Sequence, residues 1–143
     1  MIREATDRDL STLSNFAVEL FGDTLEVQTD EIKILLQSED AHFFIYFDHD
    51  IPIGFAQVQL RYDYVEGTSS SPVGYLEGIF IEKAYRKKGY AKALLSACEA
   101  WAKGKGCTEF ASDCEIDNET SIQFHCAMQF QEANRIICFK KNL

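Results

Sequence analysis

The chain has 143 residues, of which 46% are hydrophobic and 13% aromatic, and these amounts favour one domain around one apolar core without disulfide support. Its formal net charge of −9 disfavours general nucleic-acid binding and would attract cationic molecules, although solubility alone is the simpler explanation. No apolar run is long enough to cross a membrane, and the charged N-terminus lacks a signal-peptide core, so we expect a cytoplasmic protein.

The first third of the chain combines one short strand with two helices. Residues 1–4 read as a strand, and Thr6 as the N-cap of a helix whose apolar residues recur at helical spacing as far as Phe21. Thr29 is predicted to cap a second, shorter helix with Ile32 on its inner face.

A β-hairpin is predicted next, with strands at about 42–47 and 53–64 joined by the turn "DHDIP". In its second strand, apolar residues alternate with the polar side chains of Gln57, Gln59 and Arg61, which is typical of a half-buried strand. The segment "EGTSSSPVG" follows. Because it is rich in Gly, Ser and Pro, it predicts a mobile loop.

The second half of the chain alternates strands and helices. The pattern predicts a central strand at 75–81, a helix at about 89–103, a strand at 109–115 and a helix at 118–128. The closing segment, "FQEANRIICFKK", reads as one broken strand or two paired ones. The order β α α β β β α β α β β predicts a mixed α/β sheet in one domain that covers residues 1–143.

The five cysteines are scattered and form no CxxC pair, which argues against a disulfide framework and against a zinc site. Buried free thiols are the expected state, because unpaired Cys is among the most buried residue types. No neighbouring residues support a cysteine nucleophile. The cysteines are Cys98, Cys107, Cys114, Cys126 and Cys138.

A basic turn stands out in this acidic chain, at the predicted start of the third helix. A helix that begins near Gly89 offers free backbone N–H groups and the positive end of its dipole, and glycine lets a ligand approach the backbone closely. Side-chain charge is added by Arg86, Lys87, Lys88 and Lys92. The turn therefore predicts a phosphate site, with a solvated basic turn as the alternative. It matches neither GxxxxGK[ST] nor GxGxxG.

The segment "IFIEKAYRKKGYAKALL" resembles the acetyl-coenzyme A signature of the GNAT N-acetyltransferases, with Arg86, Gly89 and Ala91 at the three signature positions. The blocks "RYDYVEGTSSSPVGYLEGIF" and "GCTEFASDCEIDNETS" are similar to the aminoglycoside 6'-N-acetyltransferases within that family. The resemblance covers the whole chain. It implies the GNAT fold, a mixed and splayed β-sheet of roughly six to seven strands flanked by about four helices.

The resemblance also implies the reaction, a direct transfer of acetyl from acetyl-CoA to an aminoglycoside 6'-amine, without an acyl-enzyme or a metal, that confers antibiotic resistance. Two alternatives stay open. One is a GNAT enzyme for another small amine, such as a polyamine or an amino sugar, and the other is a non-enzymatic acyl-CoA-binding module. Relatives that dimerise through their C-terminal strands suggest a homodimer, in which "RIICFKK" adds to a partner's sheet.

Two carboxylates are the candidate acids. Glu77 stands inside an apolar strand, where a charge is costly unless it is used or paired. By resemblance it binds the substrate and removes the amine's proton, directly or through a water, and an ion-paired or surface role is the alternative. Asp113 ends the next predicted strand and by resemblance contacts the aminoglycoside, with helix capping as the alternative.

The resemblance assigns substrate contacts to two aromatic residues. Tyr64, in "DYV", offers a ring and a hydroxyl that suit the mixed face of a sugar, and a core or hairpin-edge role is the alternative. Phe21, at the end of the first helix, is expected to form an aromatic wall of the same pocket.

The remaining cofactor contacts are also implied by the resemblance. Backbone N–H groups of the central strand would meet the thioester and the pantetheine arm. Asn118 would touch that arm, or simply cap a helix. The full set predicted to bind the cofactor is Ile79, Phe80, Ile81, Arg86, Lys87, Lys88, Gly89, Tyr90, Ala91, Lys92 and Asn118.

His125 occupies the place where many GNAT proteins have a tyrosine that protonates the departing thiolate, and an imidazole could serve the same purpose, although a structural histidine is the alternative. Three departures from the family pattern are visible. Gln129 replaces a glycine that ends the helix in a left-handed conformation, at a cost of about 1 kcal/mol. Asn134 replaces an acid that contacts substrate in relatives, and "DCEIDNETS" replaces a Pro-containing segment.

Overall fold

The computed structural model describes all residues, 1–143, and contains one five-stranded sheet in the order β1-β2-β3-β4-β5. The strands are β1 (Ile2–Glu4), β2 (Ala41–Asp48), β3 (Ile51–Arg61), β4 (Val73–Ile81) and β5 (Phe110–Ser112). The helices are α1 (Leu10–Phe21), α2 (Leu25–Leu36), α3 (Tyr90–Gly104) and α4 (Glu119–Ala127). Neighbouring strands are antiparallel except β4 and β5, which are parallel, so the sheet is mixed as predicted.

Side-chain caps set the starts of the helices. Thr6 caps a short 3-10 turn that leads into α1, as predicted. The second helix begins earlier than predicted, because the Thr24 hydroxyl accepts from the backbone N–H of Val27 at 3.2 Å. Thr29 therefore lies inside α2 and is not its cap. Threonine serves equally well at both places, so composition alone did not distinguish them.

The two faces of the sheet carry separate apolar layers. Helices α1 and α2 cover one face, where the buried side chains are Leu13, Phe16, Ala17, Ile32, Phe43, Ile45 and Phe55. Helix α3 covers the other face, with Phe44, Ala56, Val58, Leu76, Ile81, Leu94, Leu95 and Cys98. Strand residues alternate between the layers, and each fully buried large side chain contributes about 1.5–3 kcal/mol of hydrophobic stabilisation.

Two irregularities in β4 position the candidate site. The pairing of β3 with β4 shifts between Gln57–Gly78 and Val58–Leu76, so Glu77 is the extra residue of a β-bulge. On its other side, β4 pairs with β5 only from Gly74 to Leu76. The two parallel strands diverge beyond that point, which is the splay that the resemblance implied.

The C-terminal segment corrects the expected strand count. Residues 131–143 form no helix or strand, so the sheet has five strands and not six to seven. The physical reason is that a strand needs a partner, and within one copy of the chain these residues pair with none. The expected left-handed turn after α4 is confirmed, because Gln129 has φ +69.

The loop before β4 is more constrained than its composition suggested. One carboxylate oxygen of Glu109 accepts from the backbone N–H groups of Ser69 and Ser70 and from the Ser70 hydroxyl, at 2.6–2.9 Å. Farther along the loop, the Ser71 hydroxyl donates to the carbonyl of Tyr62. The loop was expected to be mobile, but these bonds tie it to the ends of the neighbouring strands.

The cysteines are all unpaired, as predicted, but only Cys98 and Cys107 are buried. Cys114 is partly buried, and Cys126 and Cys138 are exposed, so the expectation of burial was wrong for these three. None of the helices combines the length and apolar composition needed to cross a bilayer.

Candidate functional site

The β-bulge turns Glu77 toward α1 and α2. Two consecutive residues, Glu77 and Gly78, both meet these helices: Glu77 lines a cavity there, and a Cβ atom on Gly78 would lie 2.4 Å from the ring of Phe21. Glycine at position 78 thus leaves room for that ring. The structure therefore brings Phe21, which is 47% exposed, next to Glu77.

The cavity beside Glu77 has a volume of about 190 Å³. Its walls combine apolar, amide and acidic side chains. They are Phe21, Gln28, Glu31, Ile32, Leu35, Gln57 and Glu77. Two carboxylates and two amides around one opening suit a ligand that carries ammonium and hydroxyl groups.

Glu77 is held by an arginine at the end of β3. The guanidinium of Arg61 donates from Nε to Oε1 at 2.9 Å and from Nη2 to Oε2 at 2.8 Å, which forms a two-pronged ion pair. This hydrogen-bonded carboxylate raises the pKa of Arg61. The expected alternative for Glu77, an ion-paired glutamate, is thus present in the structure, and its side chain is 18% exposed at the cavity.

Tyr75 links this pair to the second candidate acid. The guanidinium carbon of Arg61 lies 3.4 Å from the centroid of the Tyr75 ring, and the Tyr75 hydroxyl donates to Oδ2 of Asp113. Burial, and then the bond to Asp113, raise the pKa of Tyr75, so its hydroxyl remains a donor at neutral pH. Glu77 and Asp113, which come from neighbouring strands, therefore belong to one connected network.

Tyr64 lies apart from this network. It follows the end of β3, is 76% exposed, and its hydroxyl makes no hydrogen bond within the chain. The structure thus places Tyr64 at the surface, outside the core, and leaves its ring free to meet a ligand.

The basic turn has a backbone suited to anions. Arg86 folds back and donates from Nε to the carbonyl of Ile81 at 2.8 Å, while Lys87 and Gly89 adopt left-handed φ values of +63 and +84. No acceptor in the chain bonds the backbone N–H groups from Lys87 to Lys92. Consecutive N–H groups without partners at a helix N-terminus form an anion-binding concavity.

The side chains of the predicted cofactor residues point in different directions. Tyr90 packs its ring 4.5 Å from that of Tyr46, and Ala91 contacts the α3 core, so both face inward. Lys88 lies with its ammonium 5.6 Å from the Tyr85 ring, and Lys92 is exposed. Tyr90 and Ala91 can therefore meet a ligand only through their backbone, whereas the lysines can do so through charge.

The strand residues expected to act through their backbone have core side chains. Ile79 and Ile81 belong to the α3 layer, and Phe80 packs on the α1 layer, 5.6 Å from the ring of Phe16. They lie beyond Leu76, where β4 no longer pairs with β5, so that edge of β4 has no partner strand. This arrangement suits an extended ligand along the open edge.

The last two predicted residues are engaged within the chain. Asn118 caps α4, with its side-chain oxygen accepting from the N–H of Ser121 at 3.1 Å, which is its expected alternative. Nδ1 of His125 lies 2.7 Å from the carbonyl of Ser121, to which it donates, and Nε2 lies 2.8 Å from the Ser112 hydroxyl, which is also 3.3 Å from the carbonyl of Leu76. Both imidazole nitrogens of His125 are thus occupied.

The family model of the acetyltransferase (GNAT) family matches residues 10–130, which include the basic turn, the bulge and both candidate acids. The chain belongs to the GNAT acetyltransferase family.

Relatives within the family share one name. An aminoglycoside N(6')-acetyltransferase type 1 of Acinetobacter baumannii is 41% identical over 125 residues, 87% of this chain and 86% of that protein. Another of that name, from Stenotrophomonas maltophilia, is 35% identical over 99% of this chain and 93% of that protein.

A solved structure extends this similarity to the fold. It is that of AAC(6')-Iy in complex with the bisubstrate analog CoA-S-monomethyl-acetylneamine, at 35% identity and a TM-score of 0.95, and the match covers 100% of this chain and 98% of that one. The fold class expected from the resemblance is therefore confirmed, with the strand count corrected to five.

Sequence reasoning missed four residues around the acids: Arg61, Tyr75, Gln57 and Glu31. The alternation in β3 indicated a half-buried strand but did not show what its polar face meets. In the structure, the polar residues Gln57, Gln59 and Arg61 share a face with Glu77. A signal was available, because long polar side chains in the strand that neighbours a buried acid are its natural partners across the sheet. Glu31 gave no signal beyond its place on α2.

Proposed function

We propose that this protein transfers the acetyl group of acetyl-CoA to the 6'-amino group of aminoglycoside antibiotics. The observation that carries the proposal is the network of Glu77 and Asp113 beside an acidic cavity, where β4 and β5 diverge. Polyammonium sugars suit such a pocket because each charged hydrogen bond to a carboxylate contributes about 1.5–3 kcal/mol. The relatives named above support this choice of substrate.

The basic turn fits the pyrophosphate of acetyl-CoA. The N–H groups from Lys87 to Lys92 lack acceptors in the chain, and the dipole of α3 favours negative charge at this end. The open edge of β4 from Ile79 to Ile81 suits the pantetheine arm. Acetyl-CoA supplies an acetyl group whose thioester is reactive enough for direct attack by an amine. Asn118, as a helix cap, would approach that arm with its amide nitrogen, which makes no bond within the chain, or with the second lone pair of its oxygen.

Glu77 is assigned to the acceptor amine. An ammonium cannot attack a carbonyl, so the amine must lose a proton before transfer, and a carboxylate at the cavity can accept it directly or through one water. Asp113 and the exposed ring of Tyr64 bind the rest of the sugar, and Phe21 forms the wall beside Glu77. These roles require no covalent bond to the protein.

His125 is proposed to protonate the departing thiolate. A proton relay through Ser112 is the form that its contacts allow, because Nδ1 is occupied by a carbonyl and Nε2 lies 2.8 Å from the Ser112 hydroxyl. A charged imidazole would donate from Nε2 through that hydroxyl. The competing role is to anchor α4 on β5, and substitution of His125 separates the two: anchoring affects the melting temperature, whereas a relay affects kcat.

A second copy of the chain is the proposed partner, in a cytoplasmic homodimer. The C-terminal segment exposes Ile136 at 67%, Ile137 at 79% and Phe139 at 89%, which is unusual for apolar residues of a lone chain. A partner's sheet would bury them and satisfy their backbone groups. Size-exclusion chromatography with light scattering tests this proposal, which predicts a monomeric product after deletion of residues 136–143.

The activity is tested by thiol release from acetyl-CoA with kanamycin, tobramycin or spermidine. Tobramycin turnover that is lost in Glu77→Ala, but kept in the matched control Glu39→Ala on an exposed surface position, would support the proposal. Turnover with spermidine alone would replace the substrate by a polyamine. Tight acetyl-CoA binding without turnover of any of these amines would point to a binding module.

A further inference from the structure

The proposed reaction assigns no role to Arg61, although Arg61 contacts Glu77, the acid on which that reaction depends. We propose that Arg61 is a positioning residue that holds the Glu77 carboxylate in the orientation needed to take a proton from the acceptor amine. The inference rests on the proposed function, because it assumes that Glu77 meets that amine.

The geometry of the ion pair sets the orientation of the Glu77 carboxylate. An ionised carboxylate has about four lone-pair positions, and the fork of Arg61 uses one on each oxygen, with bonds of 2.9 and 2.8 Å. The remaining positions are free, and the side chain of Glu77 lines the cavity. Two bonds to one rigid plane fix the rotation of the carboxylate, which a single bond to an ammonium would not do.

Arg61 is itself held in place. It is the last residue of β3, opposite Val73 in the register, and its guanidinium carbon lies over the Tyr75 ring at 3.4 Å from the centroid. The Tyr75 hydroxyl is in turn tied to Asp113. The orientation of Glu77 is thus built on two strands and a stacked ring, as expected of a preorganised site.

This arrangement has a kinetic signature. The positive charge of Arg61 competes with the acceptor's ammonium for Glu77, so it weakens binding of the acceptor while it orients the base for proton transfer. Removal of Arg61 should therefore lower kcat and leave the KM for the acceptor unchanged or lower. A merely structural ion pair would change the melting temperature and leave kcat as it was.

The chain offers a matched control. Arg3 also forms a two-pronged pair, from Nη1 and Nη2 to Asp9 at 2.8 Å for both bonds, and its guanidinium lies over the ring of Phe47 at 4.6 Å. The arginine side chains of both pairs are 42% exposed. Arg3→Met therefore removes an equivalent interaction at β1, far along the sheet from β4.

The experiment compares the parent protein with Arg61→Met, Arg61→Lys and Arg3→Met by thiol release with tobramycin at saturating acetyl-CoA, together with the melting temperature of each. We expect Arg61→Met to lower kcat about 100-fold, the cost typical of a misplaced catalytic group, without raising the KM for tobramycin. Arg61→Lys should recover about tenfold, because it restores charge but not the fork. Arg3→Met should keep kcat within about twofold of the parent.

Three results would overturn the inference: a kcat for folded Arg61→Met within about threefold of the parent, a raised KM with unchanged kcat, or an equal loss of kcat in Arg3→Met. If Arg61→Met does not fold, a fully active Arg61→Lys decides against the fork. If the parent protein acetylates only spermidine, the proposed aminoglycoside substrate is wrong, and the Arg61 variants are then compared with spermidine as the acceptor. A parent that acetylates no amine overturns both proposals.

Discussion

The two halves of the candidate site are built in opposite ways. At the acid end, Glu77, Arg61, Tyr75 and Asp113 satisfy one another through side chains in the free protein. At the basic turn, the backbone N–H groups from Lys87 to Lys92 have no partner in the chain. A ligand at the turn gains bonds without breaking any bond within the protein, whereas a ligand at the acids must share partners that are already bonded to each other. The turn is thus suited to affinity, and the acids to selection among amines.

The largest expected effect belongs to the acid end. Glu77→Gln keeps the shape of the side chain but removes its charge, so the acceptor amine loses its base and its counter-ion. We expect kcat/KM for tobramycin to fall by about 10²–10⁴, while the Kd for acetyl-CoA, measured by calorimetry, stays within about twofold. If acetyl-CoA binding weakens to the same extent as turnover, the two halves are not independent.

The next effect belongs to the turn. Gly89 has φ +84 and no atom within 4 Å of the position of its Cβ, so Gly89→Ala introduces backbone strain and no clash. A left-handed residue with a side chain costs about 1–2 kcal/mol, which predicts roughly tenfold weaker acetyl-CoA binding if the turn relaxes.

Gly104 supplies the control for this change. A Cβ at Gly104 also meets nothing within 4 Å, but its φ is not in the left-handed region. Gly104→Ala should therefore leave acetyl-CoA binding unchanged and stabilise the end of α3 slightly. An equal loss of acetyl-CoA affinity in both variants would show that the conformation of Gly89 is not what matters.

The two halves also differed in how far the sequence predicted them. The turn is contiguous, so Arg86, Gly89 and Ala91 could be identified from one segment, and their backbone conformation follows from local residues. The acid end depends on pairing between β3 and β4 and on a bulge that exposes Glu77 to α1. Neither the bulge nor the partners Arg61 and Tyr75 leave a local pattern, because register is set by long-range packing.

The same difference between local and long-range information explains which parts of the fold could be predicted. Strand and helix order followed from periodicity, whereas the state of residues 131–143 depends on what they pair with. The alternating pattern of "RIICFKK" indicated a strand, but within one chain these residues pair with no strand of the sheet.

A smaller effect should appear when the two acids are uncoupled. Tyr75→Phe keeps the ring beneath Arg61 and removes the hydroxyl that donates to Asp113. Asp113 should then be less well oriented, and we expect a KM for tobramycin raised several-fold with a smaller change in kcat. Steady-state kinetics with tobramycin measures both. A fall in kcat as large as that predicted for Arg61→Met would mean that the ring alone does not hold the guanidinium.

Stability can be changed without touching either half. Gln129 is left-handed, at φ +69, after the end of α4. Gln129→Gly should relieve about 1 kcal/mol of strain and raise the melting temperature by roughly 4 °C. The kinetic constants should stay unchanged, because Gln129 has no role in either half. A lower melting temperature would contradict the strain argument.

The smallest effect is a pH-dependent loosening of the loop before β4. Hydrogen bonds from Ser70 and Ser69 lower the pKa of Glu109, so the ionised carboxylate is favoured in the folded protein. The stability that this ionised carboxylate contributes is complete above the ordinary glutamate pKa of about 4.5. That stability is lost as the pH falls through the lowered pKa of Glu109 in the folded protein.

Amide hydrogen exchange at Ser69 and Ser70 measures this loosening. Both amides donate to the same carboxylate oxygen, so their protection should fall together in acid. In Glu109→Gln, which keeps an acceptor but cannot titrate, weaker protection should be independent of pH over the same range. If the parent's two amides keep the same protection on both sides of that range, Glu109 is not what ties the loop to β5.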